Sequence, residues 1–222
     1  MKLTWFGTVD YVEMLALQRE FHESRVTNEI PDTLLLLEHS HVITLGRRTL
    51  ETHVLSEPTV LADAGIDVEE TDRGGEATYH GPGQLVAYPI VDLRALGLGP
   101  ASYVTALEQA IIETLAVYFV EAHRVKGRTG IWVAGDGEES GDGNNPVGRK
   151  IAAIGVRISR GVAMHGLALN VSTDLSMFDH IVPCGMPGLD VTSIEAEQGA
   201  APPVKIVAEV LAEKLAEVLI PV

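Results

Sequence analysis

The order in which strand and helix patterns follow one another constrains this chain most. They alternate without a steady βαβ rhythm, which favours an α/β (α+β) fold with a mixed, largely antiparallel sheet over a doubly wound parallel one. Thr33-Leu34-Leu35-Leu36-Leu37-Glu38 and Val42-Ile43-Thr44-Leu45 read as two buried strands. Residues 85–91, 130–134, 150–159 and 164–171 read as further strands, with Pro89 marking an edge or a bulge. Asp10 and Glu13 form a capping-box pattern that opens a helix to about Arg25, and a short helix is expected near 57–64. Val104, Leu107, Ile111, Leu115, Tyr118 and Phe119 share one face of a helix over 102–122, capped by Ser102. Pro203 opens the last helix, with Val207, Val210, Leu211, Leu215 and Val218 as its apolar stripe.

A length of 222 residues allows a sizeable core and reads as one domain over 1–222, or a large and a small lobe. No stretch is long enough to span a bilayer, and residues 1–7 lead into a helical pattern without the shape of a signal peptide. One cysteine and no export signal point to a reducing cytoplasm. A net charge of −15 disfavours nucleic-acid binding. Arg124, Lys126, Arg128, Arg149, Lys150, Arg157 and Arg160 nevertheless cluster in the third quarter. They make either a basic face for an acidic partner or a scattered solvated surface. Residues 135–147, acidic and Gly-rich, read as an insertion loop.

Three segments carry chemistry. Arg73-Gly74-Gly75-Glu76-Ala77-Thr78-Tyr79-His80-Gly81-Pro82-Gly83-Gln84 has the glycines that let backbone N–H groups approach a ligand, without the ending of a phosphate loop. Gly148-Arg149-Lys150-Ile151-Ala152-Ala153-Ile154-Gly155-Val156-Arg157 puts Lys150 on the face of Ala152, Ile154, Val156 and Ile158 if the strand is regular. A lysine at the edge of an apolar face serves as a base, as a cation beside a thiolate, or simply snorkels at a strand start. Met164-His165-Gly166-Leu167-Ala168-Leu169-Asn170 leads towards the lone cysteine in Val182-Pro183-Cys184-Gly185. There Pro183 fixes its own φ and Gly185 leaves room for a ligand. His165, Asn170, Asp179 and His180 are polar groups in apolar surroundings. Ala152, Ala153, Gly155, Gly166 and Ala168 together would leave a narrow slot for a short alkyl chain.

These segments, in this order, resemble those of the bacterial octanoyl (lipoyl) protein transferases, relatives of the lipoate and biotin protein ligases. The resemblance covers nearly the whole chain and implies a ligase-like fold, a large mixed sheet with a second smaller sheet and flanking helices. It implies that Cys184 is the acyl-accepting nucleophile and Lys150 its activating partner. It implies an acyl site lined by Arg73, Gly74, Gly75, Glu76, Ala77, Thr78, Tyr79 and His80, by Ala153, Ile154 and Gly155, and by Gly166, Leu167 and Ala168. The implied donor is an octanoyl-acyl carrier protein. The implied acceptors are lipoyl domains of 2-oxoacid dehydrogenase E2 subunits and the glycine cleavage H protein. No cofactor, metal, nucleic acid or membrane enters this scheme, and a cytoplasmic monomer is expected. Backbone N–H groups near Gly185 or the Gly74-Gly75 turn are expected to meet the oxyanion. Ala153 stands where the family commonly has serine. A cysteine hydrolase using His80 or His165 as its base is the rival reading.

Overall fold

The computed structural model describes residues 1–135 and 148–219. All but the first residue of the expected insertion loop therefore lie outside the described residues. Seven strands form the larger sheet: β1 (Lys2–Val9), β2 (Thr33–His39), β6 (Gln84–Ile90), β7 (Ala122–Val125), β8 (Arg128–Val133), β9 (Arg149–Ser159) and β10 (Val162–Asn170). Their spatial order is β1-β2-β6-β10-β9-β8-β7, and only β1 and β2 pair in parallel. β3 (Val42–Leu45) sits between β4 (Asp67–Glu70) and β5 (Ala77–His80) in the smaller sheet. The mixed, largely antiparallel sheet and its smaller companion are as expected.

The unbroken leucine run follows from burial on both faces of β2. Leu34 and Leu36 pack with α3 (Pro100–Val117) and α5 (Val204–Val218), while Leu35 and Leu37 pack with α1 (Tyr11–Val26). A strand covered on both sides has no solvent face to keep polar, so alternation disappears. The smaller sheet has its own core, where Ile43, Leu61 of α2 (Pro58–Asp63), Tyr79 and Phe178 meet.

Several expectations change. Residues 2–9 form strand β1, an element the sequence did not mark, and lead into the expected helix α1. Asp10 caps α1, its carboxylate accepting from the Val12 and Glu13 N–H groups. α3 starts two residues early because Gly99 is its N-cap and Ser102 reaches back to it from the third helical position. The helix also stops at Val117: Phe119 adopts φ 59 and is 86% exposed, so the chain turns towards β7 before that ring reaches the core. Pro89 lies in an interior strand, not at an edge. The β6–β10 ladder runs over Gln84–Ala87 and resumes as a bridge at Asp92–Val162. His165, with φ 57, stands in the gap opposite the missing proline N–H.

Candidate functional site

A cavity of about 270 Å³ lies where the two sheets face each other, at the low end of small-ligand pockets. Cys184 reaches it from a 3-10 turn, Pro183–Gly185, on the loop after β10. The turn is closed by the Gly185 and Met186 N–H groups donating to the carbonyls of Val182 and Pro183, both at 3.1 Å. Cys184 adopts φ 54, ψ 24, a left-handed conformation that costs a non-glycine residue roughly 1–2 kcal/mol. Room at Gly185 is already taken, because a Cβ there would overlap the Glu76 carboxylate.

Lys150 arrives from the start of β9 and is buried. Its ammonium donates to Cys184 Sγ at 3.1 Å and to the Thr129 carbonyl at 3.0 Å, and sits 5.2 Å from the Trp132 ring centroid. The β8–β9 register shifts by one residue between Ile131–Ala152 and Trp132–Lys150. Simple alternation therefore no longer relates Lys150 to Ala152 and Ile154, and the strand argument from sequence fails here. Gly130 makes the passage possible: with φ 114, a Cβ there would lie 2.6 Å from Lys150 Cε and 2.6 Å from the Ala152 carbonyl oxygen.

Arg73 is buried, and its guanidinium donates to the carbonyls of Thr44, Gly74 and Glu76 and to the Thr44 hydroxyl. Among the described residues it has no ion-pair partner, so a positive charge faces the cavity. Its neighbour Asp72 accepts from His165 Nε2–H at 2.8 Å and from Arg157 at 2.8 Å. The His165 hydrogen bond chiefly holds the Asp72 carboxyl down to about 2, helped by the positive charge of Arg157. Burial pulls the His165 pKa below its usual value, against the pull of Asp72. Burial likewise pushes His80 down to about 3 and His39 to about 4, so both are neutral near pH 7.

Among the residues singled out from sequence, Cys184, Lys150, Arg73, Gly75, Glu76, Ala77, Thr78 and His80 line the cavity. So do Ala153, Ile154 and Gly155 from β9, and Gly166, Leu167 and Ala168 from β10. Gly74 and Tyr79 do not. Gly74 turns its N–H to the Val156 carbonyl, and Tyr79 points into the smaller sheet's core, bonded to His41 at 2.7 Å. The Gly74 and Gly185 N–H groups are thus already engaged and unavailable to an oxyanion. Tyr11, Arg48, Tyr88, Arg128, Thr129, His165 and Met186 also line the cavity. Of these, His165 carried a sequence signal as a polar group in an apolar strand, and Arg128 as a member of the basic cluster.

The expected basic face is largely neutralised from within. Arg149 pairs with Glu197, Arg157 with Asp72, Arg160 with Glu23 and Arg124 with Glu108. Arg128 and Lys150 of that cluster line the cavity, as does exposed Arg48, whose neighbour Arg47 is also exposed.

Residues 10–216 match the lipoyl protein ligase A/B catalytic domain. The chain belongs to that family. It is 51% identical over 194 residues to an octanoyltransferase of Solibacter usitatus, covering 87% of this chain and 82% of the relative. It is 47% identical over 204 residues to an octanoyltransferase of Acidobacterium capsulatum, covering 89% and 80%. Among solved structures, a putative lipoate protein ligase from T. acidophilum shares the fold, with a TM-score of 0.69 at 16% identity over 98% of this chain and 84% of that one. The family resemblance and the assignment as an acyltransferase are borne out. Among the described residues no helix is long and apolar enough to cross a membrane.

Proposed function

We propose that this lipoyl protein ligase A/B family member works as one catalytic domain and a cytoplasmic monomer. It moves an octanoyl group from an acyl carrier protein thioester to a lysine of a lipoyl domain, on E2 subunits or the glycine cleavage H protein. Acyl-Cys184 is the intermediate. The observation that carries this reading is the 3.1 Å contact between Lys150 Nζ and Cys184 Sγ at the wall of an acyl-sized cavity.

The Lys150 ammonium stabilises the Cys184 thiolate that it touches. The thiolate attacks the thioester carbonyl, and the S–C bond to the carrier breaks as the S–C bond to Cys184 forms. The carrier thiolate leaves with a proton from Lys150, now neutral. The acceptor lysine then attacks acyl-Cys184, gives its proton to Lys150 and becomes an amide, and the Cys184 thiolate is restored. Thioester exchange is nearly level and amide formation runs downhill, so no nucleotide is consumed. The uncompensated Arg73 charge favours the oxyanion in both halves. Exposed Arg47 and Arg48 supply the docking charge for an acidic carrier.

The test mixes octanoyl-carrier, enzyme and lipoyl domain without ATP. Octanoyl amide on the domain's lysine is expected. Free octanoate as the product, lost on substituting His80 or His165, would favour the hydrolase.

A further inference from the structure

A buried polar chain that the mechanism does not use runs from the cavity wall to the backbone of Lys150. His80 Nδ1 lies 2.7 Å from Gln84 Oε1, and Gln84 Nε2 lies 2.9 Å from Asn170 Oδ1 and 3.1 Å from the Tyr79 carbonyl. Asn170 Nδ2 donates to the Thr192 carbonyl at 2.9 Å. The 190–192 segment clamps Lys150: its N–H donates to the Asp190 carbonyl at 2.8 Å, and the Thr192 N–H donates to its carbonyl at 2.9 Å. Gln84, Asn170, His80 and Thr192 are all buried.

Direction follows from the two ends. Carbonyls of Tyr79 and Thr192 only accept, so both amide NH₂ groups must face them. Gln84 Oε1 must then accept, which requires a proton on His80 Nδ1. A neutral His80, whose ring lines the cavity, therefore keeps Nε2 bare. Segment 190–192 is also the C-terminal root of the loop that carries Cys184. One side chain, Asn170 on β10, thus anchors the root of the nucleophile loop, and the backbone of that root in turn clamps the strand end that bears the partner lysine.

We propose that Asn170, held in orientation by Gln84, is a positioning residue that sets the Lys150–Cys184 contact. Removing its side chain strands the Thr192 carbonyl and one Gln84 N–H in a buried site. The 190–192 clamp then loosens and Nζ drifts from Sγ. A displacement of about 1 Å is enough to lower kcat about 10²-fold, with KM for the donor little changed.

The inference rests on the reading of Cys184 and Lys150 as a working pair, and the experiment separates the two. Cys184 is the only cysteine, so iodoacetamide reports on it alone. Lys150, Arg48, Arg73, Glu76 and Arg128 are the charged groups of the cavity wall it shares, and His80, His165, Tyr11 and Tyr88 its other titratable groups. The pH profile of alkylation is measured for wild type, Lys150→Met, Asn170→Ala and the double variant. Asn170→Ala is expected to move the profile towards that of Lys150→Met and to add nothing in the double variant. A Lys150→Met profile identical to wild type would sink the pair itself. A shift for Lys150→Met with a wild-type profile for Asn170→Ala would overturn this proposal alone. The unsubstituted protein gives a second reading that needs no variant to fold. The ¹⁵N shifts of His80 should show a protonated Nδ1 and a bare Nε2, and the opposite tautomer would overturn the network.

Discussion

His165 and Asp72, ninety-three positions apart, meet at 2.8 Å and pin the start of the glycine-rich loop to the central sheet. Arg157 holds the other oxygen of the same carboxylate. Because Asp72 immediately precedes Arg73, this pin fixes the loop that covers the cavity. Asp72→Asn weakens a charge-assisted contact to a buried ring, and a loss of about 1–3 kcal/mol in urea unfolding is expected. KM for the acyl donor should rise with it, since the loop lines the cavity beside Cys184. Unchanged stability and KM would show that the pin is incidental.

Acid should weaken the fold before it touches that ion pair. His39 and His80 are held neutral, with pKa values of about 4 and about 3, chiefly by burial. The unfolded chain takes up their protons near the usual histidine value, so it binds more protons than the fold as pH falls. Their stabilising contribution is complete above about pH 6.5 and drains away towards pH 4 and 3, at about 1.4 kcal/mol per pH unit for each ring. Asp72, held at about 2, adds a loss only below about pH 4. Urea midpoints at pH 7, 6 and 5 should fall steadily. A flat series would refute the neutral, buried assignment.

Gly130→Ala should be costly out of proportion to one methyl group. The position has φ 114 and faces both Lys150 Cε and a backbone oxygen. Strain of roughly 1–3 kcal/mol is expected, together with a drop in acyl transfer as the lysine is pushed aside. Thermal melting and turnover check the two effects separately. A fully active, fully stable variant would mean that the Lys150 path is not confined.

Ala153 and Ala168 face each other across β9 and β10, and both line the cavity. Ala168→Leu fills part of that space, so the variant should favour shorter acyl donors and discriminate against octanoyl by about 10-fold or more in kcat/KM. A chain-length series of acyl-carriers measures it. Retained octanoyl preference would place the chain elsewhere.

Much of this was legible in the sequence because it depended on local rules. The Leu34–Leu37 run read as a buried strand, and the glycine-rich loop, the Lys150 strand and the Cys184 turn sit at the cavity. What escaped depended on the fold as a whole. Tyr11 and Tyr88 reach the cavity from a helix and an interior strand, with no motif to mark them. Lys150 faces the sulfur through a register shift that alternation does not foresee. Tyr79 belongs to the motif yet points the other way, since neighbours on a strand face opposite sides. Phe119 fits the helical stripe, but the helix ends before reaching it.

The most direct test is the intact mass of the enzyme after mixing with octanoyl-carrier. The account predicts one octanoyl adduct, discharged by adding lipoyl domain, absent in Cys184→Ala and strongly slowed in Lys150→Met. An adduct that persists in Cys184→Ala, or transfer to the domain by that variant, would contradict it.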